Sequence, residues 1–85
     1  MTKITTWKQA VDYTFLTREK WISGGGREAA LINTGHFTRL RGASFPVEKI
    51  RQAVMAIVVA ELKEEGKSHA TINRIISAVS TVLKH

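Results

Sequence analysis

Gly66-Lys67-Ser68-His69-Ala70-Thr71-Ile72-Asn73-Arg74-Ile75-Ile76-Ser77-Ala78-Val79-Ser80-Thr81-Val82-Leu83-Lys84 is the stretch that decides the fold. It holds a helix stop, a helix start, an apolar stripe and a basic face without acid. Gly66 can end a preceding helix in the left-handed conformation, and Ser68 can accept a hydrogen bond from the first exposed amides of the next one. Ile72, Ile75, Ile76, Val79, Val82 and Leu83 recur at steps of three and four, so they share one face. Lys67, His69, Thr71, Asn73, Arg74 and Ser77 lie near the helix start, on or beside the other face. There the exposed amides and the positive end of the helix dipole also favour phosphate. A helix of this kind packs on one side and meets a polyanion on the other.

Working outward, the chain reads as all helix. Thr6 caps a first helix from Trp7 to about Glu19, with Trp7, Val11 and Phe15 spaced by four and Leu16 widening the stripe. Trp21 and Ile22 follow as a hydrophobic exit, and Ser23-Gly24-Gly25-Gly26 breaks the pattern because three glycines cost too much backbone entropy to continue a helix. A second long helix runs from Arg27 to Leu40 with Ala30, Leu31, Phe37 and Leu40 inward, across a weak centre at Asn33-Thr34-Gly35, and Gly42 ends it. Ala43 to Lys49 is a connector, since Pro46 lacks an amide donor and biases Phe45 toward an extended conformation. From Ile50 to Glu65 the helical pattern returns, with Ile50, Val54, Ile57, Val58 and Leu62 as the buried stripe. No segment alternates with hairpin turn chemistry, so no sheet is predicted. The expected fold is all-α, a compact bundle of four or five helices in one domain over residues 1–85.

With 85 residues and no cysteine, the chain has neither the size for a large core nor any disulfide, which suits a reducing cytoplasm. It contains no signal-peptide pattern and no apolar run long enough to span a bilayer, so no membrane partner is expected. Thirteen Lys and Arg against seven Asp and Glu leave a net charge of +6, unevenly placed. Residues 67–85 carry Lys67, Arg74 and Lys84 with no acid, while residues 44–66 carry Glu48, Glu61, Glu64 and Glu65 against Lys49, Arg51 and Lys63. Basic ends around an acidic middle favour duplex DNA as the partner; the bland alternative is a solvated surface with a chance surplus.

The order of these features resembles a known family. A Trp-bearing helix is followed by one ending Phe37-Thr38-Arg39-Leu40-Arg41-Gly42, by a long helix ending Leu62-Lys63-Glu64-Glu65-Gly66, and by Ser68-His69-Ala70-Thr71-Ile72-Asn73-Arg74-Ile75-Ile76-Ser77-Ala78. This resembles the core-binding domain of tyrosine recombinases, especially phage integrases, over nearly the whole chain. It departs from the family pattern at Gly24-Gly25-Gly26 and at Arg51. The resemblance implies a SAM-like helical bundle that lies over one face of duplex DNA at recombination sites, while a separate downstream catalytic domain of the same chain closes the clamp. It also implies that other recombinase protomers on the DNA are possible partners. On this alignment the chain stops at His85, about where the interdomain linker would begin, so the cleaving and rejoining chemistry is expected elsewhere.

The residues agree that no catalytic group is present here. Tyr13, the only tyrosine, sits in an amphipathic helix as a core or boundary residue. His36, His69 and His85 lack metal-ligand spacing, so no metal and no cofactor is expected. Gly24-Gly25-Gly26 before Arg27 reads as a linker or a phosphate-contacting nest. The DNA-contact candidates are Arg27, Arg39, Arg41, Lys67, Ser68, His69, Thr71, Asn73, Arg74 and Ser77. Arg74 can reach guanine or a phosphate, or remain a solvated helix arginine; Asn73 can read adenine or bond locally. Arg39 and Arg41 can clamp phosphate or complement their helix dipole, and Trp7 and Trp21 are core residues unless the first helix is exposed. Two other function classes stay open: a helix-turn-helix regulator, because the turn Glu65 to Ser68 joins two helices, and an interaction bundle that docks through its acidic third helix.

Overall fold

The computed structural model describes residues 3–22 and 26–84. Four long helices and one single-turn helix account for most of them: α1 (Trp7–Thr17), α2 (Glu19–Ile22), α3 (Arg27–Arg41), α4 (Gln52–Glu64) and α5 (His69–Lys84). Among the described residues there is no strand, only an isolated antiparallel bridge between Thr6 and Pro46. No helix is long and apolar enough to cross a membrane among those residues. The all-helical class and the number of helices agree with the sequence pattern.

Thr6 starts α1 through a reciprocal capping box. Its hydroxyl accepts from the Gln9 amide at 3.3 Å, and Gln9 Oε1 accepts from the Thr6 amide at 3.2 Å. The helix ends two residues earlier than its pattern suggests, because Arg18 leaves helical geometry (φ −85°, ψ 110°) before α2 begins. A continuous helix would set Trp21 roughly 120° around the axis from Phe15, at about 100° per residue. The break lets Trp21 turn inward instead, where its ring lies 4.9 Å from that of Phe15 under the Arg18 guanidinium. Leu16, expected to widen the buried stripe, is 76% exposed; Ala10 and Thr14 take the inward places beside Trp7.

Helix α3 passes unbroken through Asn33-Thr34-Gly35. Thr34 is buried and satisfies its hydroxyl by donating to the Ala30 carbonyl at 2.7 Å, so a polar side chain occupies a core position without an orphaned group. Ala30, Thr34 and Phe37 form the inward line, and Leu31, predicted there, is half exposed. Gly42 ends the helix with φ 96°. The connector then folds back on α1: the Trp7 amide donates to Phe45 O at 2.8 Å, Lys8 to Ala43 O at 2.9 Å, and Val47 to Thr5 O at 2.9 Å. A single 3-10 turn, Val47–Lys49, leads to a buried Ile50, and α4 starts at Gln52 rather than at Ile50. On α4 Val58 and Leu62 are buried, whereas Ile57 is half exposed.

Helix α5 is the element around which the others gather. It packs most extensively on α3 and also against α4 and α1. Ile72, Ile75, Ala78, Val79 and Val82 are buried, and Ile76 is partly so; Leu83, at the end of the stripe, is 40% exposed. Trp7 closes the other side of the core. Its ring meets Phe37 at 4.5 Å, and its indole N–H donates to Thr38 Oγ1 at 2.7 Å.

Two substitutions test this packing by thermal or denaturant unfolding. Ile75→Ala should destabilise the domain by about 2 to 5 kcal/mol, the usual range for emptying a buried aliphatic site. Thr38→Val, which keeps the shape but removes the acceptor, should cost about 1 to 3 kcal/mol because the buried Trp7 N–H is left unpaired.

Candidate nucleic-acid interface

The start of α5 is built by its turn. Glu65 closes α4, Gly66 takes φ 84°, and the amides of Gly66 and Lys67 donate back to Lys63 O (3.0 Å) and Leu62 O (3.1 Å). This paired return is the Schellman ending that a left-handed glycine permits. Ser68 then caps α5: its Oγ accepts from the Thr71 amide at 3.2 Å, and its hydroxyl contacts Thr71 Oγ1 at 3.0 Å. Ser68 and Thr71 are therefore occupied in forming the helix start. His69, Asn73, Arg74 and Ser77 are exposed along α5, with Lys67 half-buried at its mouth. No carboxylate occurs in α5, and Arg74 has no ion-pair partner among the described residues.

Arg39 and Arg41, the candidates at the end of α3, are differently placed. Arg39 grips Glu65 with both terminal nitrogens, Nη1 to Oε2 at 2.8 Å and Nη2 to Oε1 at 2.9 Å. Arg41 pairs through Nη2 with Glu61 Oε1, and its Nε is buried with no hydrogen-bond partner among the described residues. Specific carboxylates of α4 and its cap thus hold both cations across the α3–α4 junction. The acidic middle of the sequence is correspondingly less acidic at the surface, because two of its four glutamates have intramolecular partners.

His36 joins this cluster, a residue with no role in the sequence reading beyond its lack of metal spacing. Its Nδ1 lies 3.1 Å from Arg39 Nη2. A guanidinium can only donate, so Nδ1 accepts and the ring proton sits on Nε2 in the neutral form. Burial first, then the charges of Arg39 and Lys67, push its pKa below the ordinary value of 6.5, against a weaker opposing pull from Glu65. The Arg39 hydrogen bond in turn holds the Glu65 carboxyl below its usual range and raises the Arg39 guanidinium.

Arg27 stands apart from the other candidates. It opens α3, twelve residues before Arg39 and roughly 18 Å away along the axis at 1.5 Å per residue. Its Nη1 donates to Trp21 O at 3.1 Å, and its guanidinium lies 5.6 Å from the Phe15 ring centre. Gly26 precedes it in helical geometry, while Ser23, Gly24, Gly25 and His85 lie outside the described residues. Trp7 and Trp21 are buried in the core and offer no stacking surface. Tyr13 is a boundary residue on a groove with Ile4, Ala10, Val47, Val82 and Leu83. Among the described residues no three His, Cys, Asp or Glu side chains gather to hold a metal ion.

No protein-family model matches the chain, and neither the curated proteins nor the solved structures contain a match to it. The geometry therefore carries the functional reading.

The His36 environment can be titrated directly. Its ring resonances should move with a midpoint below 6.5 in the native protein, and Arg39→Ala should raise that midpoint by removing a neighbouring positive charge. The folded chain takes up this proton less readily than the unfolded one, so His36 should make stability fall as pH drops from 6.5 toward the depressed value.

Proposed function

We propose that this domain binds duplex DNA through the exposed side of α5, as a core-binding module of the tyrosine-recombinase type and half of a clamp around the double helix. One observation carries the reading. A 16-residue helix buries Ile72, Ile75, Ala78, Val79 and Val82 along one face and leaves its other face exposed, cationic and free of carboxylates. Lys67 and His69 sit at the helix start, where a phosphate meets the positive dipole end, and Asn73, Arg74 and Ser77 follow on the exposed side. A helix of this diameter fits the major groove, where Arg74 has the donor fork to meet O6 and N7 of guanine or a flanking phosphate. Arg27 is a separate, peripheral contact on this reading. Strand cleavage belongs to a separate catalytic domain, and the protein acts in the cytoplasm on chromosomal or phage DNA, with other protomers bound nearby.

The alternatives fit less well. An interaction bundle docking through an acidic helix loses Glu61 and Glu65 to Arg41 and Arg39. In a helix-turn-helix regulator the second helix projects from a small core, whereas α5 contacts α1, α3 and α4 and supplies much of the core itself.

If about three to five phosphates are contacted, the logarithm of the affinity should fall with the logarithm of salt at a slope of about −2.7 to −4.5. Arg74→Ala should weaken binding while changing stability by no more than about 0.5 kcal/mol, as for an ordinary surface change. Fluorescence-anisotropy titrations over a salt series, with thermal melts of the same samples, measure both. Binding that is absent at low salt, or indifferent to salt, overturns the proposal.

A further inference from the structure

The Glu65 carboxylate is held by one donor group, the Arg39 guanidinium, across the α3–α4 junction. Arg39 approaches both of its oxygens in a fork, His36 lies against the back of that fork, and Lys67 follows two residues later at the mouth of α5. The two-pronged arrangement is also the one in which a guanidinium receives a phosphate. The pair is open to water, with side-chain exposures of 48% for Arg39 and 32% for Glu65, so it is weakly held and exchangeable. The neighbouring Arg41–Glu61 pair is more enclosed on its arginine side, at 21%, and serves as a fixed strut.

We infer that Arg39, braced from behind by His36 and flanked by Lys67, forms a site for a backbone phosphate of nucleic acid, which the Glu65 carboxylate occupies in the free protein and leaves when the phosphate arrives. The inference rests on the nucleic-acid reading above and adds to it a built-in competitor. A carboxylate and a phosphodiester each carry one negative charge, so the exchange leaves the charge on the donors matched. The displaced Glu65 must then lie beside the polyanion, which makes it a brake on affinity.

Glu65→Gln and Glu64→Gln remove the same charge from adjacent residues. Glu64 is exposed and has no ion pair among the described residues. At about 0.15 M salt, where surface charges act over about 8 Å, Glu65→Gln should tighten duplex binding by about five- to tenfold and Glu64→Gln by less than about twofold. Adding Arg39→Ala to Glu65→Gln should erase the gain. Equal tightening by the two glutamine variants, or a gain that survives Arg39→Ala, would overturn the inference and leave the DNA reading standing. If no variant binds duplex, the DNA reading falls, and inorganic phosphate followed by NMR decides the site alone. Shifts at the Lys67 amide in Glu65→Gln, absent after Arg39→Ala is added, support it; no shifts, or Lys67 shifts that survive Arg39→Ala, overturn it.

Discussion

The indole of Trp7 is the constraint on which the rest of the bundle depends. It is fully buried at the first position of α1, stacks obliquely on Phe37, and hands its N–H to Thr38 one residue further along α3. Its own backbone amide is taken by Phe45 in the connector. One residue thereby fixes the beginning of α1, the last turns of α3 and the loop that leads into α4. An aromatic side chain supplies the large apolar area that a small domain needs, and the polar tip sets its orientation because a buried donor tolerates few alternatives. Phe37 passes the packing on to Phe45 in an edge-on contact, so the connector is anchored from both its backbone and its side chain.

Much of this architecture was legible in the residues. The cap at Thr6, the stop at Gly42, the turn at Gly66 and the stripe of α5 are local signals, each written within a few positions. The misplaced residues were those whose side is set by another element. Leu16, Leu31 and Ile57 lie next to true core positions at helical spacing, and only the direction from which α3 and α5 approach decides which edge of the stripe is covered. Thr34 reached the core because a threonine in a helix can bond the carbonyl one turn back, which satisfies its hydroxyl and lets its methyl pack inward. The break at Arg18 has no glycine or proline to announce it; the gain is the burial of Trp21.

The candidate interface was legible in a different proportion. The exposed row on α5 follows directly from helical periodicity, and the placement of His69, Asn73, Arg74 and Ser77 needed nothing else. The pairing of Arg39 with Glu65 spans 26 positions in the chain and that of Arg41 with Glu61 spans 20. No local rule joins residues so far apart. Net charge by segment could indicate that opposite charges lay on different stretches, but not that the stretches would meet. His36 entered the cluster for the same reason, as a consequence of α3 being laid beside the α4–α5 turn.

The two helix starts that carry side-chain caps also differ in what they leave for solvent. At α1 all of the first four amides are spent: Trp7 and Lys8 donate to the connector, Gln9 to the Thr6 hydroxyl and Ala10 to the Thr6 carbonyl. At α5 the capping serine accounts for Thr71 and its carbonyl for Ile72, and the His69 and Ala70 amides have no protein acceptor among the described residues. The clasp between the connector and α1 thus works as insulation. It occupies the amides with which α1 would otherwise meet a passing anion, and of the two capped helix mouths it leaves only that of α5 with amides open to solvent.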